Sequence, residues 1–174
     1  MSELPDFKFC LLPEVTGDKR FLPTRAEPTA TGWDVRACLP EGPLTMRPSQ
    51  TALISMGFRV FCPPGWWFEI RPRSSSFAKK NLASLYGVVD ESYGGVVRFA
   101  CQFMPDLGAV PGFGLTTAFD HSRRTIEHGE ALGQLIPVRR QEMIVSEVDT
   151  ATYESLCKTR GAERGAGGFG STGG

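Results

Sequence analysis

The chain has 174 residues, 41% of them hydrophobic, and its 19 lysines and arginines balance its 19 aspartates and glutamates. Length and apolar content point to one domain with a real core, zero net charge gives no footing for stable nucleic-acid binding, and no apolar run approaches membrane-spanning length. The start, Met1 to Asp6, lacks the basic-then-apolar order of a signal peptide, and five scattered cysteines without a C-x-x-C pair read as reduced, mostly buried thiols of a reducing, cytoplasmic compartment, not as a zinc site or disulfide frame.

Short β-like runs punctuated by Gly and Pro follow one another along the chain. Phe7 to Leu12 is the first. Ala52 to Phe61 is longer, with Met56-Gly57 placed for a bulge. Trp66 to Ile70 follows the turn Pro63-Pro64-Gly65. One or two helical turns are expected around Ser74 to Leu82, and nothing reads as an amphipathic helix of several turns. Val96 to Phe103 is apolar and β-branched or aromatic. Asp106 to Gly129, rich in glycine, reads as a long surface loop, and His121 and His128 within it read as surface histidines. Leu132 to Val138 and Met143 to Val148 complete the runs. No internal repeat is present. Many short strands with such turns predict an all-β sandwich, jelly roll or small barrel.

The last ten residues include six glycines, so they form no stable helix or strand alone. Gly165-x-Gly167-x-x-Gly170 matches the letters of a dinucleotide fingerprint but lacks its strand, helix and downstream acid. Such tails are commonly plain linkers. This one also carries Arg164, Phe169, Ser171 and Thr172. A cation, a flat ring, hydroxyls and close-approaching glycine N–H groups suit closure over a nucleotide. The expected division is a β domain over residues 1–160 and a tail over 161–174, mobile until a ligand orders it.

Four further segments hold polar residues that a β core does not choose. In Ala30-Thr31-Gly32-Trp33-Asp34-Val35-Arg36-Ala37, Asp34 is either a turn or edge aspartate or a functional one. In Pro72-Arg73-Ser74-Ser75-Ser76, serines at a helix start serve as N-caps, or with Arg73 as an anion site. In Gly87-Val88-Val89-Asp90-Glu91-Ser92-Tyr93-Gly94-Gly95, a carboxylate sits at a turn three residues before an aromatic. In Gly129-Glu130-Ala131-Leu132-Gly133-Gln134-Leu135-Ile136, Gln134 interrupts an apolar strand.

Together, in this order and with the tail, these segments resemble the five motifs of the trimeric dUTP diphosphatases (dUTPases) over about Thr29 to Gly174. The resemblance implies a jelly-roll-like homotrimer with active sites between subunits and the tail closing over them. It implies Mg²⁺-dependent hydrolysis of dUTP to dUMP and diphosphate, which limits uracil in DNA and supplies dUMP for thymidylate synthesis. Asp90 is similar to the general base that activates water. Tyr93 is similar to the residue beneath deoxyribose that excludes a 2′-hydroxyl. A hairpin from Ser84 to Val89, including Gly87 and Val88, resembles the uracil pocket. Arg73, Ser74 and Ser75 resemble the phosphate cradle. Gln134 resembles the amide near the α-phosphate, and Asp34 the acid that holds a metal-bound water. Arg164 resembles the γ-phosphate arginine and Phe169 the base-stacking ring, with Gly170, Ser171 and Thr172 adding contacts.

Three departures stand out. Ser92 replaces a second motif-three aspartate, Ala131 replaces the usual motif-four arginine, and Gly133 replaces an alanine. A structural ion pair is therefore lost or replaced. Two rivals remain at this point. One is a dCTP deaminase, whose catalytic glutamate has no counterpart in Val96 to Gln102. The other is a dUTPase scaffold with an added protein-binding role through the long loop.

Overall fold

A computed structural model of the chain describes residues 4–105 and 122–159. Among these residues ten strands and two α-helices run in the order β1 Lys8–Leu11, β2 Trp33–Arg36, β3 Leu44–Met46, β4 Thr51–Phe61, β5 Trp66–Pro72, α1 Ser74–Ala78, β6 Leu82–Ser84, β7 Gly87–Val89, β8 Val96–Phe103, β9 Arg124–Ile126, β10 Ala131–Arg139 and α2 Thr150–Thr159, with short 3-10 turns at Pro13–Val15 and Lys19–Phe21. Two four-stranded antiparallel sheets, β1-β4-β8-β6 and β2-β10-β5-β7, are accompanied by a separate two-stranded ribbon of β3 and β9. The all-β expectation holds.

Alternation explains the layering. In β8 every second residue (Val97, Phe99, Cys101, Phe103) is buried, and in β5 Phe68 and Ile70 are buried while Arg71 between Ile70 and Pro72 is exposed. Period-2 patterning sends each set to one face. These faces form one core cluster that includes Ile54, Phe58 and Phe99 from the first sheet and Val35, Ile70, Leu132 and Leu135 from the second. Each such fully buried side chain contributes about 1.5–3 kcal/mol relative to exposure.

The bulge expected at Met56-Gly57 is present. The β4–β8 register shifts between Ser55 and Arg59, and Gly57 has φ +79°. A Cβ at Gly57 would lie 3.0 Å from Phe21 and 3.1 Å from Val15, which with Cys38 form a second small cluster. Glycine is therefore needed there for both conformation and space.

Several expectations are corrected. Residues 143–148 form no strand, and Met143, Ile144 and Val145 are exposed. A β-branched run becomes a strand only where a sheet edge accepts it. Thr150–Thr159 is a helix of nearly three turns that the sequence reading did not expect. Its start is capped by Asp149, whose carboxylate accepts from the Thr152 amide at 2.7 Å. The long loop is shorter than expected at its end, because Arg124–Ile126 pairs with β3. The rest of that loop, 106–121 with His121, lies outside the described residues. His128 is exposed as expected, and its Nδ1 accepts from the Leu39 amide at 3.1 Å. Cys38, Cys62 and Cys101 are buried free thiols, Cys157 is half-buried and Cys10 exposed. Contacts divide the chain into units of residues 1–141 and 142–174.

Candidate functional site

Register across the second sheet assembles the first cluster. β2 sets Asp34 opposite Gln134, and β5 sets Arg71 opposite Gln134 on its other side. The three share the face opposite to buried Val35, Leu135 and Ile70. The Asp34 side chain is only 15% exposed, and Arg73 Nε stands 3.5 Å from its Oδ1. That is a loose ion pair, with the guanidinium free to serve a second anion. The Gln134 amide lies over Gly32, where a Cβ would be 1.9 Å from Oε1 and 2.6 Å from Cδ. Gly32 thus supplies the space that Gln134 occupies.

The second motif forms a short helix, but its serines are not caps. The N-cap residue is Arg73, in extended conformation and without a side-chain cap bond. Ser76 is fully buried and its hydroxyl donates to the Leu132 carbonyl at 2.6 Å, while the Arg73 amide donates to the same carbonyl at 3.2 Å. These bonds fix the helix start to motif four. Ser74 is exposed and Ser75 half-buried, and neither hydroxyl has a hydrogen-bond partner among the described residues. They stand beside Arg73 with donors to spare.

Motif three is rearranged relative to expectation. Ser84 and Gly87–Val89 do not form a hairpin. β6 pairs with β8 in the first sheet, and β7 pairs with β5 in the second, so Leu85 and Tyr86 cross between sheets. Both strands are sheet edges, which leaves one row of backbone donors and acceptors on each without a strand partner. Gly87 lies under Ile70, 2.5 Å from a would-be Cβ, and Val88 is 62% exposed. The Ser84 hydroxyl is buried without a partner among the described residues. Arg71 bonds Glu69 at 2.6 Å and stacks over Tyr86 at 5.2 Å.

Asp90 ends β7 in a turn closed by the Tyr93 amide donating to its carbonyl at 3.0 Å. Its carboxylate is exposed and makes no hydrogen bond or ion pair among the described residues. The Tyr93 hydroxyl donates to the Val96 carbonyl at 3.0 Å, and its ring folds over Gly95, where a Cβ would be 2.6 Å from Cζ. The ring is thereby pinned at both ends yet 41% exposed. A cleft of about 590 Å³ borders Trp66, Val88, Asp90, Glu91 and Arg140, a volume suited to a small-molecule ligand.

One chain does not bring the two clusters together. Continuing the β5–β7 register past Val89–Phe68 puts Asp90 level with Trp67, whereas Gln134 is level with Arg71. Four residues of strand separate those levels, about 13 Å. Arg164, Phe169, Gly170, Ser171 and Thr172 lie outside the described residues.

Sequence reasoning missed two charged clusters. Glu130 bonds Lys80 at 2.7 Å and Arg124 at 2.5 Å, and also accepts from the Glu127 amide. Burial alone would raise the Glu130 carboxyl, but the Lys80 hydrogen bond, the Glu127 amide and the two cations hold it below its ordinary value. Glu91, next to Asp90, bonds Arg140 and the Gly65 amide. The Glu91 partners lie 49 and 26 residues away, and no short motif records such contacts. Among the described residues no three His, Cys, Asp or Glu side chains converge as a metal cage.

Comparison with known proteins completes the picture. The dUTPase family model matches residues 18–102. The deoxyuridine 5'-triphosphate nucleotidohydrolase of Roseobacter denitrificans is 34% identical over 155 residues, 88% of this chain and 87% of that protein. A Staphylococcus bacteriophage 80alpha dUTPase solved with dUpNHpp is similar in fold, with a TM-score of 0.68 at 21% identity, covering 97% of this chain and 99% of that one. The dUTPase of phage phi11 of S. aureus, solved with a structural Mg(II) ion, has a TM-score of 0.64 at 20% identity, covering 83% of this chain and 97% of the other. On the extent and identity of the Roseobacter match, the chain belongs to the dUTPase family.

Proposed function

We infer that the chain hydrolyses dUTP to dUMP and diphosphate at sites shared between three copies. The observation that carries this reading is the cluster of Arg73, Ser74 and Ser75 beside Asp34 and Gln134. It is an anion cradle with uncommitted donors, fixed by buried bonds from Ser76 and the Arg73 amide to Leu132. Phosphoryl transfer needs positioning and charge stabilisation above all.

In this reading the triphosphate lies along Arg73, Ser74 and Ser75, and the Gln134 amide orients the α-phosphate and the attacking water. Asp90 of a neighbouring copy takes a proton from that water as oxygen attacks the α-phosphorus, and the bond to the diphosphate oxygen breaks. A carboxylate with no partner among the described residues suits this task. Tyr93, pinned over Gly95, presents a flat wall to the sugar, where a 2′-hydroxyl would collide. The edges of β6 and β7 offer Ser84, Gly87, Val88 and Val89 backbone groups to the uracil. Arg164 and Phe169 complete the site on the γ-phosphate and the base, with Gly170, Ser171 and Thr172 alongside.

A single half-buried carboxylate, Asp34, is too few ligands for an all-protein Mg²⁺ site but fits an ion that keeps its waters and is held by substrate phosphates. Held there through water, Mg²⁺ would neutralise phosphate charge. The buried free thiols Cys38, Cys62 and Cys101 fit a reducing compartment such as the cytoplasm. Val96–Phe103 offers no acid for deamination. Diphosphate release from dUTP, dCTP, dTTP and UTP tests the reading. Preference for dUTP over each of the others is expected, and equal rates for dUTP and UTP, or release of ammonia from dCTP, would overturn it.

A further inference from the structure

Among the described residues Asp90 makes no bond through its own carboxylate, so its position depends on what holds the turn around it. Val89 fixes one side by pairing with Phe68. On the other side, the Ser92 hydroxyl has no partner among the described residues. Glu91 fills the gap. One oxygen, Oε2, accepts from the Gly65 amide at 2.8 Å and from Arg140 Nη1 at 2.9 Å. The ring closes because the Arg140 amide donates to the Gly65 carbonyl at 2.8 Å. Gly65 is itself fixed in the β4–β5 turn, with φ +78° and the Trp66 amide bonded to the Pro63 carbonyl. Three segments distant in sequence thus meet at one carboxylate oxygen. The Glu91 side chain is about one-third exposed, so its ion pair alone is worth little. Its bond to a turn amide, backed by a charge, is the stronger part.

Resting on the proposed hydrolysis, we propose that Glu91 is the positioning residue of Asp90, clamping the base-bearing turn to the Gly65 turn and to the end of β10 through Arg140. It touches no reacting atom. The clamp acts by denying the turn the freedom that would swing Asp90 off the attacking water.

The test pairs kinetics with amide exchange in the full chain. Glu91→Ala removes the acceptor. It is expected to lower kcat between about tenfold and a hundredfold, the scale of an ångström-sized misplacement, with KM changed less than about threefold. Exchange at the Gly65 and Tyr93 amides should quicken about tenfold or more, while core amides of β8 stay protected. Glu91→Gln keeps a carbonyl oxygen for both donors and should recover most of kcat. Arg140→Ala, which leaves the Gly65 bond in place, should give an intermediate loss, and it carries the test if Glu91→Ala does not fold. Unchanged kcat in folded Glu91→Ala would overturn the proposal, as would lost kcat with Gly65 exchange unchanged, or no recovery in Glu91→Gln. Should the wild-type chain not hydrolyse dUTP, the functional reading fails, while Gly65 and Tyr93 exchange still reports whether the clamp exists.

Discussion

Gly32→Ala separates positioning from folding. The new Cβ would lie 1.9 Å from Gln134 Oε1, and tolerable contacts begin near 3.0 Å, so the amide oxygen must retreat by about 1.1 Å. The Gln134 Cβ, 3.0 Å away, is attached to the strand and gives little. The amide is half-buried at the end of a rotatable side chain, and turning it off its rotamer costs about 1 kcal/mol. Removing a glycine's freedom from the unfolded chain offsets about 0.4–1 kcal/mol of that. Stability should therefore change little. Catalysis should change much more. A displacement of this size costs about a hundredfold in rate, or about 2.7 kcal/mol at 1.36 kcal/mol per decade. The assay is kcat and KM for dUTP by diphosphate release, beside a thermal melt, for Gly32→Ala, Gln134→Ala and the double variant. If Gly32 acts only through Gln134, the double variant is no slower than Gln134→Ala. Near-normal kcat in Gly32→Ala, or fully additive losses, would refute the reasoning.

Three further outcomes follow from the geometry. Glu130 has a depressed folded-state titration, so its stabilising effect is full above its unfolded value near 4.5 and is lost as pH falls through the lower folded value; Glu130→Gln should destabilise by about 1–3 kcal/mol at pH 7, and denaturant melts should show the gap to wild type closing below pH 4.5. At Gly133 a Cβ would lie 2.9 Å from the Arg71 carbonyl and 3.0 Å from the Phe99 ring, so Gly133→Ala should destabilise by about 1–3 kcal/mol, and Phe99→Leu added to it should cost less than it does alone. Asp34→Ala should raise the Mg²⁺ concentration needed for half-maximal activity while the melt stays cooperative; unchanged metal dependence would make Asp34 structural.

The long strands were readable because they carry their own pattern: β4, β8 and β10 are runs of eight or more residues, and β5 is framed by a turn. The three-residue strands β3, β6, β7 and β9 carry too few alternations to register and exist because a neighbour pairs with them. The opposite error occurred at Met143 to Val148, where strand-like residues have no assigned strand. For α2 the missed signal was the Asp149 cap, since its few apolar residues make only a thin stripe. Of the site, the polar residues of the motifs were legible. Their spacing was not. That Ser76, not Ser74 or Ser75, is the buried serine depends on the Leu132 carbonyl 56 residues away. The clamp of Glu91 and the space under Gln134 are likewise contacts between distant segments.

Within one chain Asp90 and Gln134 are offset by about 13 Å along the strand direction, so the proposed site draws them from two copies. Mixed refolding of Asp90→Asn chains with Gln134→Ala chains measures this directly. Each variant alone should be nearly inactive, and mixed assemblies, verified by differential tagging, should recover a substantial part of wild-type diphosphate release, because some sites then combine an intact Asp90 with an intact Gln134. Mixed assemblies that form but show no recovery would contradict the shared site and return both residues to a single chain.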